Sequence, residues 1–263
     1  GENKQFRYIT TDSRKINQDS LFLALLGEKY DGHDFCETAI KAGAQAYIST
    51  KEIINHSGIV VEDTYLALLK MARYQQQQVN PKTLAITGSN GKTTLKEMVA
   101  HILDGHESIK TKDNENNQFG IPFTVLRLKP ETRFLVLECG ARKLGDFDLI
   151  SEYLKFDVLV ITNINNSHIE IFENQTNIIK TKTKLLDGLT EGGSFIDGAF
   201  EDWGTSDKLM EINQTFRVNV HHNLEQDSET KPLTENWNCT VVSGQQEGSL
   251  PGFFGLSFQQ TLN

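Results

Sequence analysis

Cysteine, proline and tryptophan are scarce in this chain. Its 263 residues include three cysteines, five prolines and two tryptophans. Cys36, Cys139 and Cys239 are far apart and odd in number, which argues against a disulfide framework, and they show no metal-ligand spacing. Reduced thiols in a cytoplasmic setting are the simplest reading. No apolar run is long enough to span a membrane, and the first residues lack a signal-peptide core, so no membrane association is expected. Positive charge is also in short supply: 26 Lys and Arg face 35 Asp and Glu, for a net charge of −9. That balance argues against a nucleic-acid-binding surface. Phosphate must therefore be held by local geometry rather than by bulk charge. Internal repeats and low-complexity tracts are lacking too, and the short run Gln75–Gln78 reads as a helix end.

What the chain does have is a globular composition, 38% hydrophobic and 23% charged, in a length that suits one large or two modest domains. In residues 1–80 short strands and helices alternate. Strands are expected at Ser20–Ala24, Ala46–Ile48 and Gly58–Val61, and a helix at Phe35–Ala42 ended by Gly43. Asp63 caps a helix running to about Gln78, and Asn80-Pro81 breaks the chain. The expected division is 1–80 and 81–263.

The strongest chemical signal opens the second part. Leu84-Ala85-Ile86 leads into Thr87-Gly88-Ser89-Asn90-Gly91-Lys92-Thr93-Thr94, and a helical pattern follows through Leu103. Strand, glycine turn and helix make the setting of a phosphate loop. Gly88 and Gly91 let the backbone approach phosphates and turn its N–H groups toward them, and the helix start adds partial positive charge. Lys92 is placed to reach the outer phosphates and the Thr93 hydroxyl to meet Mg²⁺. Only Ser89 and Asn90 separate the two glycines, so the loop is shorter than the usual form.

Downstream, apolar strands alternate with helices at the spacing of a parallel sheet. Phe134–Leu137 ends in Glu138, where a second Mg²⁺ contact is expected. Val158–Thr162 is the next buried strand, followed by a polar stretch containing His168, a candidate metal contact or a structural histidine. Asn114, Asn116 and Asn117 read as a polar loop capping the next helix. Ile178–Leu189 reads as one helix. The residues three, four and seven positions from Lys182 along it (Ile178, Ile179, Leu185, Leu186 and Leu189) are all apolar, while Lys180 and Lys184 face the other side. Lys182 either points inward, with a lowered pKa and an amine able to take up CO₂ as a carbamate, or snorkels to water.

Two pieces of the first part look chemical. Thr11-Asp12-Ser13-Arg14 gathers hydroxyl and guanidinium donors suited to a diphosphate, or is simply a turn. Asp31-Gly32-His33-Asp34-Phe35 is a polar turn, with Asp34 as the expected helix cap.

Taken together these motifs resemble the Mur ligases of peptidoglycan synthesis, nearest to their D-alanyl-D-alanine-adding branch. The carrying segments are Thr11–Arg14, Asp31–Phe35, Thr87–Thr94, Asn114–Pro122, Glu138–Ala141, Thr162–Ile164, His168–Glu170 and Lys180–Lys182, all in matching order and spacing. The resemblance runs from about residue 8 to about residue 192. It implies an α/β fold: a small N-terminal domain for a UDP-linked substrate, then a P-loop-type central domain with a mostly parallel sheet flanked by helices. It implies ATP at Gly88, Ser89, Asn90, Gly91, Lys92, Thr93 and Thr94, and Mg²⁺ at Thr93, Glu138, His168 and a carbamylated Lys182. Catalytic roles fall on Lys92, Lys182 and His168. Ser13, Arg14, Asp31, Asn116 and Asn117 are assigned to substrate. The implied reactants are UDP-N-acetylmuramoyl-tripeptide and D-alanyl-D-alanine, joined through an acyl phosphate, with a cytoplasmic monomer expected. Such ligases carry a third, C-terminal domain, which this sequence does not reach, so little turnover is expected of the chain alone. Some positions depart from the pattern: Lys184 replaces a Glu, Asp197-Gly198-Ala199-Phe200 replaces a motif with an acidic pair, and Gly255 replaces an adenine-side Asn. Other ligases of the superfamily, such as folylpolyglutamate-synthase-like or cyanophycin-synthetase-like proteins, and a non-catalytic binding module are the alternatives.

Overall fold

The computed structural model describes residues 6–27, 29–165 and 169–198, together with the backbone of strands at 216–223 and 236–243. The chain divides into two compact units, Gly1–Gln78 and Val79–Asn263.

The first unit holds β1 (Tyr8–Thr10), β2 (Ser20–Leu23), α1 (Cys36–Lys41), β3 (Ala46–Ser49), β4 (Gly58–Val60) and α2 (Thr64–Val79). Its four strands pair in sequence order, all parallel. Every residue of β2 and β3 is buried, as expected for parallel strands covered on both faces. The core gathers Phe22, Ala24, Cys36, Ala39 and Tyr47. Gly43 ends α1 as expected: at φ 108° its N–H reaches the Ile40 carbonyl (2.9 Å) while the Ala44 N–H reaches Ala39 (3.0 Å). Asp63 caps α2, its carboxylate accepting the Leu66 N–H at 2.9 Å. The expected cap at Asp34 is a different residue. Asp31 accepts the His33 N–H and starts a 3₁₀ turn over Gly32–Phe35, from which α1 continues without a side-chain cap. The extra turn moves the capping position back by three residues.

The second unit contains β5 (Lys82–Thr87), α3 (Lys92–Ile102), β6 (Ser108–Lys110), α4 (Gly120–Leu126), β7 (Phe134–Glu138), α5 (Asp148–Tyr153), β8 (Phe156–Ile161), α6 (Ile169–Phe172), α7 (Gln175–Thr183), β9 (Leu189–Asp197), β10 (Phe216–Asn223) and β11 (Asn236–Ser243). Strands β6-β7-β5-β8-β9 form one parallel sheet, and β10 pairs antiparallel with β11. Chain order reverses at β5, which lies between β7 and β8. In such sheets the crevice at the carboxyl end of that strand is where ligands bind. The register delivers Glu138 beside Ile86 and Ile161 beside Thr87, so three strand ends meet at one place.

The single helix expected over Ile178–Leu189 is instead α7 followed by a 3₁₀ stretch, Lys184–Gly188. Gly188 packs so closely that a β-carbon there would lie 2.6 Å from the Phe156 ring and 2.9 Å from the Leu154 carbonyl. The tighter turns feed the chain directly into β9, while Leu185 stays buried.

Tyr47 is buried, and its hydroxyl accepts the Ile53 N–H at 2.7 Å. Tyr47→Phe leaves that donor without an acceptor and should cost about 1–2 kcal/mol. A lowered urea midpoint with an unchanged slope is the expected result, and an unchanged midpoint would show the bond to be dispensable.

Candidate functional site

The loop after β5 is built on two glycines with positive φ, Gly88 at 143° and Gly91 at 79°. A β-carbon on Gly88 would lie 2.0 Å from Thr162 Oγ1, so both conformation and space demand glycine there. Residues following β8 stitch the loop in place. Thr162 Oγ1 and Asn163 Nδ2 donate to the Asn90 carbonyl (2.6 and 3.1 Å), and Ser89 Oγ accepts the Asn165 N–H (2.8 Å). Two of the loop N–H groups are already taken within the chain. Those of Ser89 and Asn90 bond to the carbonyl and side chain of Asn163, each at 2.9 Å. The first N–H groups of α3, from Lys92 onward, have no partner within the helix.

Lys92 curls back onto the loop, donating to the carbonyls of Gly88 (2.6 Å) and Ser89 (3.0 Å). Burial pushes its pKa down, and Glu138 partly restores it. Thr93 Oγ1 donates to Glu138 Oε1 at 3.0 Å, and Asn116 Nδ2 reaches the same oxygen at 2.8 Å. The Thr111 hydroxyl accepts the Glu138 N–H at 3.0 Å. Gly140 is held to Asn116 too, its N–H donating to the Asn116 carbonyl at 2.7 Å. Asn117 caps α4, accepting the N–H groups of Phe119 and Gly120, in line with the sequence reading of this loop. Cys139, fully buried beside Glu138, has its thiol pushed up to about 12 by burial and is inert.

Lys182 points inward. Its ammonium donates to the Gly88 carbonyl at 3.0 Å, 94 residues away in sequence. Burial first, and the Lys92 charge second, push its pKa down to about 7. Lys180 is exposed and Lys184 half-exposed, as the spacing predicts. Lys184 pairs with Asp187 at 2.7 Å. Asp197 is buried at the end of β9, and Gly198 donates to the Ile161 carbonyl. His168, Ala199, Phe200 and Gly255 lie outside the described residues. Lys96 escaped the sequence reading: it is 1% exposed and bridges Glu97 and Glu138 at 3.2 Å each. Its signal was spacing, since positions 92, 93 and 96 share one helix face.

In the first unit Arg14 folds onto Asp12 through a fork of 2.8 and 2.9 Å, which holds the Asp12 carboxyl down at about 2. Arg14 is exposed and Ser13 half-buried. Asp31 is taken by His33, whose Nδ1 lies 2.5 Å from its carboxylate. His33 Nε2 accepts the Thr50 N–H at 3.1 Å, so the ring proton sits on Nδ1.

Fold and loop together define an α/β domain of the P-loop type. Comparison with known proteins narrows this further. Residues 86–250 match the Mur ligase middle domain, and residues 5–73 match the catalytic domain of the Mur ligase family. The chain belongs to the Mur ligase family. It is 38% identical over 205 residues to the UDP-N-acetylmuramoyl-tripeptide–D-alanyl-D-alanine ligase of Haemophilus influenzae, covering 75% of this chain and 45% of that protein. Its identity to the ligase of the same name from Bacillus subtilis is also 38%, over 193 residues, covering 72% of this chain and 42% of the relative. The chain thus spans less than half the length of these relatives. Among solved structures, MurF from Acinetobacter baumannii superposes with a TM-score of 0.71 at 28% identity, covering 89% of this chain and 54% of that one. MurF from Thermotoga maritima, solved with ADP, shares the fold with a TM-score of 0.72 at 24% identity, covering 92% and 59%.

Lys182 makes stability depend on pH. Unfolded, the amine titrates near 10.5; folded, near 7. Between these values the unfolded chain binds a proton that the folded chain does not, so stability rises with pH across the window. Below about 7 the fold carries the full cost of the charged amine. In CO₂-free buffer, wild type should gain on Lys182→Met by about 2–4 kcal/mol between pH 7 and 10. Parallel pH profiles of melting temperature for the two proteins would show instead that Lys182 reaches water.

Proposed function

We propose that this chain serves an ATP-dependent ligase that joins D-alanyl-D-alanine to UDP-N-acetylmuramoyl-tripeptide, acting in the cytoplasm as a monomer. The supporting observation is the convergence of Lys92, Thr93, Glu138 and Lys182 on one short glycine loop in a Mur ligase chain. No helix among the described residues is long and apolar enough to cross a membrane, in keeping with this setting.

In this reading the phosphates of ATP lie over the start of α3. The Lys92 ammonium leaves the Gly88 and Ser89 carbonyls and follows the transferring phosphoryl group. Thr93 Oγ1 and Glu138 Oε1 are hard oxygen ligands side by side, a donor pair that fits Mg²⁺. His168 is proposed as a further contact. Mg²⁺, when bound, supplies charge neutralisation on the phosphate oxygens. The tripeptide carboxylate attacks the γ-phosphorus in line, ADP leaves, and an acyl phosphate forms. The amine of D-alanyl-D-alanine then attacks the acyl carbon and expels phosphate, losing a proton as the amide forms. The residues contribute positioning and electrostatics rather than covalent chemistry.

Lys182 belongs to this reading as a carbamate. With its pKa near 7, a large share of the amine is neutral at cellular pH. Its nitrogen lone pair adds to the carbon of CO₂, and the proton released goes to solvent. The anion so formed would offset the Lys92 charge. Asn116, already on Glu138, and Asn117 are proposed to face the muramoyl substrate, with Ser13, Arg14 and Asp31 near its UDP end.

Calorimetry with ADP and Mg²⁺ should show binding that Lys92→Ala weakens at least about tenfold, equivalent to about 1.4 kcal/mol. UDP-N-acetylmuramoyl-tripeptide should raise the melting temperature, while a folate should leave it unchanged. Absence of MgATP binding at millimolar concentration would overturn the ligase reading in favour of a non-catalytic module.

A further inference from the structure

Lys96 plays no part in the mechanism above. It lies one helical turn beyond Lys92, and only 1% of its side chain is exposed. An ammonium at that depth requires a partner, because removing its water is costly. One partner is Glu97 Oε1, on a half-exposed side chain that also pairs with Lys110. The other is Glu138 Oε2, at 3.2 Å on a side chain 2% exposed. This oxygen is buried and accepts no directed hydrogen bond among the described residues, which makes Lys96 its counter-charge. Oε1 of the same carboxylate takes Thr93 and Asn116.

Among the described residues, the Lys92 ammonium lies on the loop and the Lys96 ammonium lies on Glu138, with Glu97 on the outer side of Lys96. The described residues also hold no group of three or more His, Cys, Asp or Glu able to bind a metal. A divalent cation arriving alone would find the Glu138 carboxylate already paired with Lys96 and the Lys92 ammonium beside it. A nucleotide polyphosphate reverses that balance.

We infer that Lys96 is a positioning residue that makes divalent-cation binding at Glu138 conditional on nucleotide. It occupies the charge of Glu138 in the empty site, so the ion is taken up only together with a polyphosphate. The inference rests on the nucleotide reading above and adds to it the origin of the coupling.

Titration of the nucleotide-free 263-residue chain with Mn²⁺, free ion being read by electron paramagnetic resonance, tests this directly. Wild type should bind no Mn²⁺ at sub-millimolar concentration. Lys96→Met should bind it at least about tenfold more tightly, since a unit charge close to the ion has been removed. Lys96→Gln keeps a donor for Glu138 Oε2 without the charge, and should show the same gain even if the Met variant folds poorly. Lys96→Arg keeps the charge and should match wild type. Adding Glu138→Gln to Lys96→Met should abolish the gain, which places the ion at Glu138. Folded Gln and Met variants that bind Mn²⁺ as weakly as wild type would overturn the inference, as would micromolar Mn²⁺ binding by nucleotide-free wild type. A parallel titration with ADP separates the two ideas. Failure of wild type to bind ADP overturns the nucleotide reading, whereas ADP binding without a gain in the Lys96 variants overturns this inference alone.

Discussion

Two ammonium groups from distant parts of the chain share the carbonyl oxygen of Gly88, and the site is arranged around that contact. Lys92 arrives from the helix that follows the loop, and Lys182 from α7, well beyond β8. Gly88 can offer its carbonyl this way only because its φ of 143° turns the peptide and its bare α-carbon lets Thr162 close in. Any side chain there would push away the segment that ties down Ser89 and Asn90. One glycine thus fixes the loop, the strap after β8 and the inward lysine of α7 relative to one another. The sheet supplies the frame, since β5 lies between the two strands whose ends carry Glu138 and the strap.

This arrangement works against stability. Two lysines are drawn onto the loop, and burial lowers the pKa of both, so their partners restore the lost hydration only in part. Lys96 is compensated by two carboxylates, Lys92 by carbonyls and a distant Glu138, and Lys182 by the Gly88 carbonyl. The lowered pKa of Lys182 follows from that last, poorest compensation. In the proposed reading the Lys92 ammonium, held on carbonyls, is what draws a polyphosphate to a chain whose net charge is −9. Lys96 and Lys182 are buried and Lys92 half-buried, so their fields are less screened than those of surface charges.

Much of this was legible in the sequence, for identifiable reasons. Buried parallel strands leave continuous apolar runs, so β2, β5, β7 and β8 could be read directly. That Lys182 lies in the buried stripe followed from apolar residues three and four positions to either side, a pattern that survives even though the α-helix stops at Thr183; the spacing left open whether its amine turns inward or reaches water, and the structure turns it inward. Caps read well where the acceptor is local, as at Asp63. What escaped depends on partners far along the chain. Nothing near Ser89 and Asn90 shows that Asn163 takes their N–H groups. Nothing around Cys36 shows that a 3₁₀ turn shifts the cap to Asp31. Lys96 was missed because a lysine between Leu95 and Glu97 looks like a solvated helix position. Its burial comes from Glu138, an acid 42 positions away on another element.

The shortness of the loop acquires a physical meaning from these bonds. A longer loop wraps a phosphate with its own N–H groups. Here only Ser89 and Asn90 lie between the glycines, and both donate to Asn163. The donors left are those at the start of α3, where Gly91 opens the helix at φ 79°. Lys92 and Thr93 lie in that first turn, and Lys96 lies one turn on along the same face. In the proposed reading the face offered to phosphate is the same face that contacts Glu138, which is why the two are proposed to be coupled. On that reading a shorter loop gives up encirclement of the phosphate and gains this coupling, carried by the single helix α3 between its start and the acid at the end of β7.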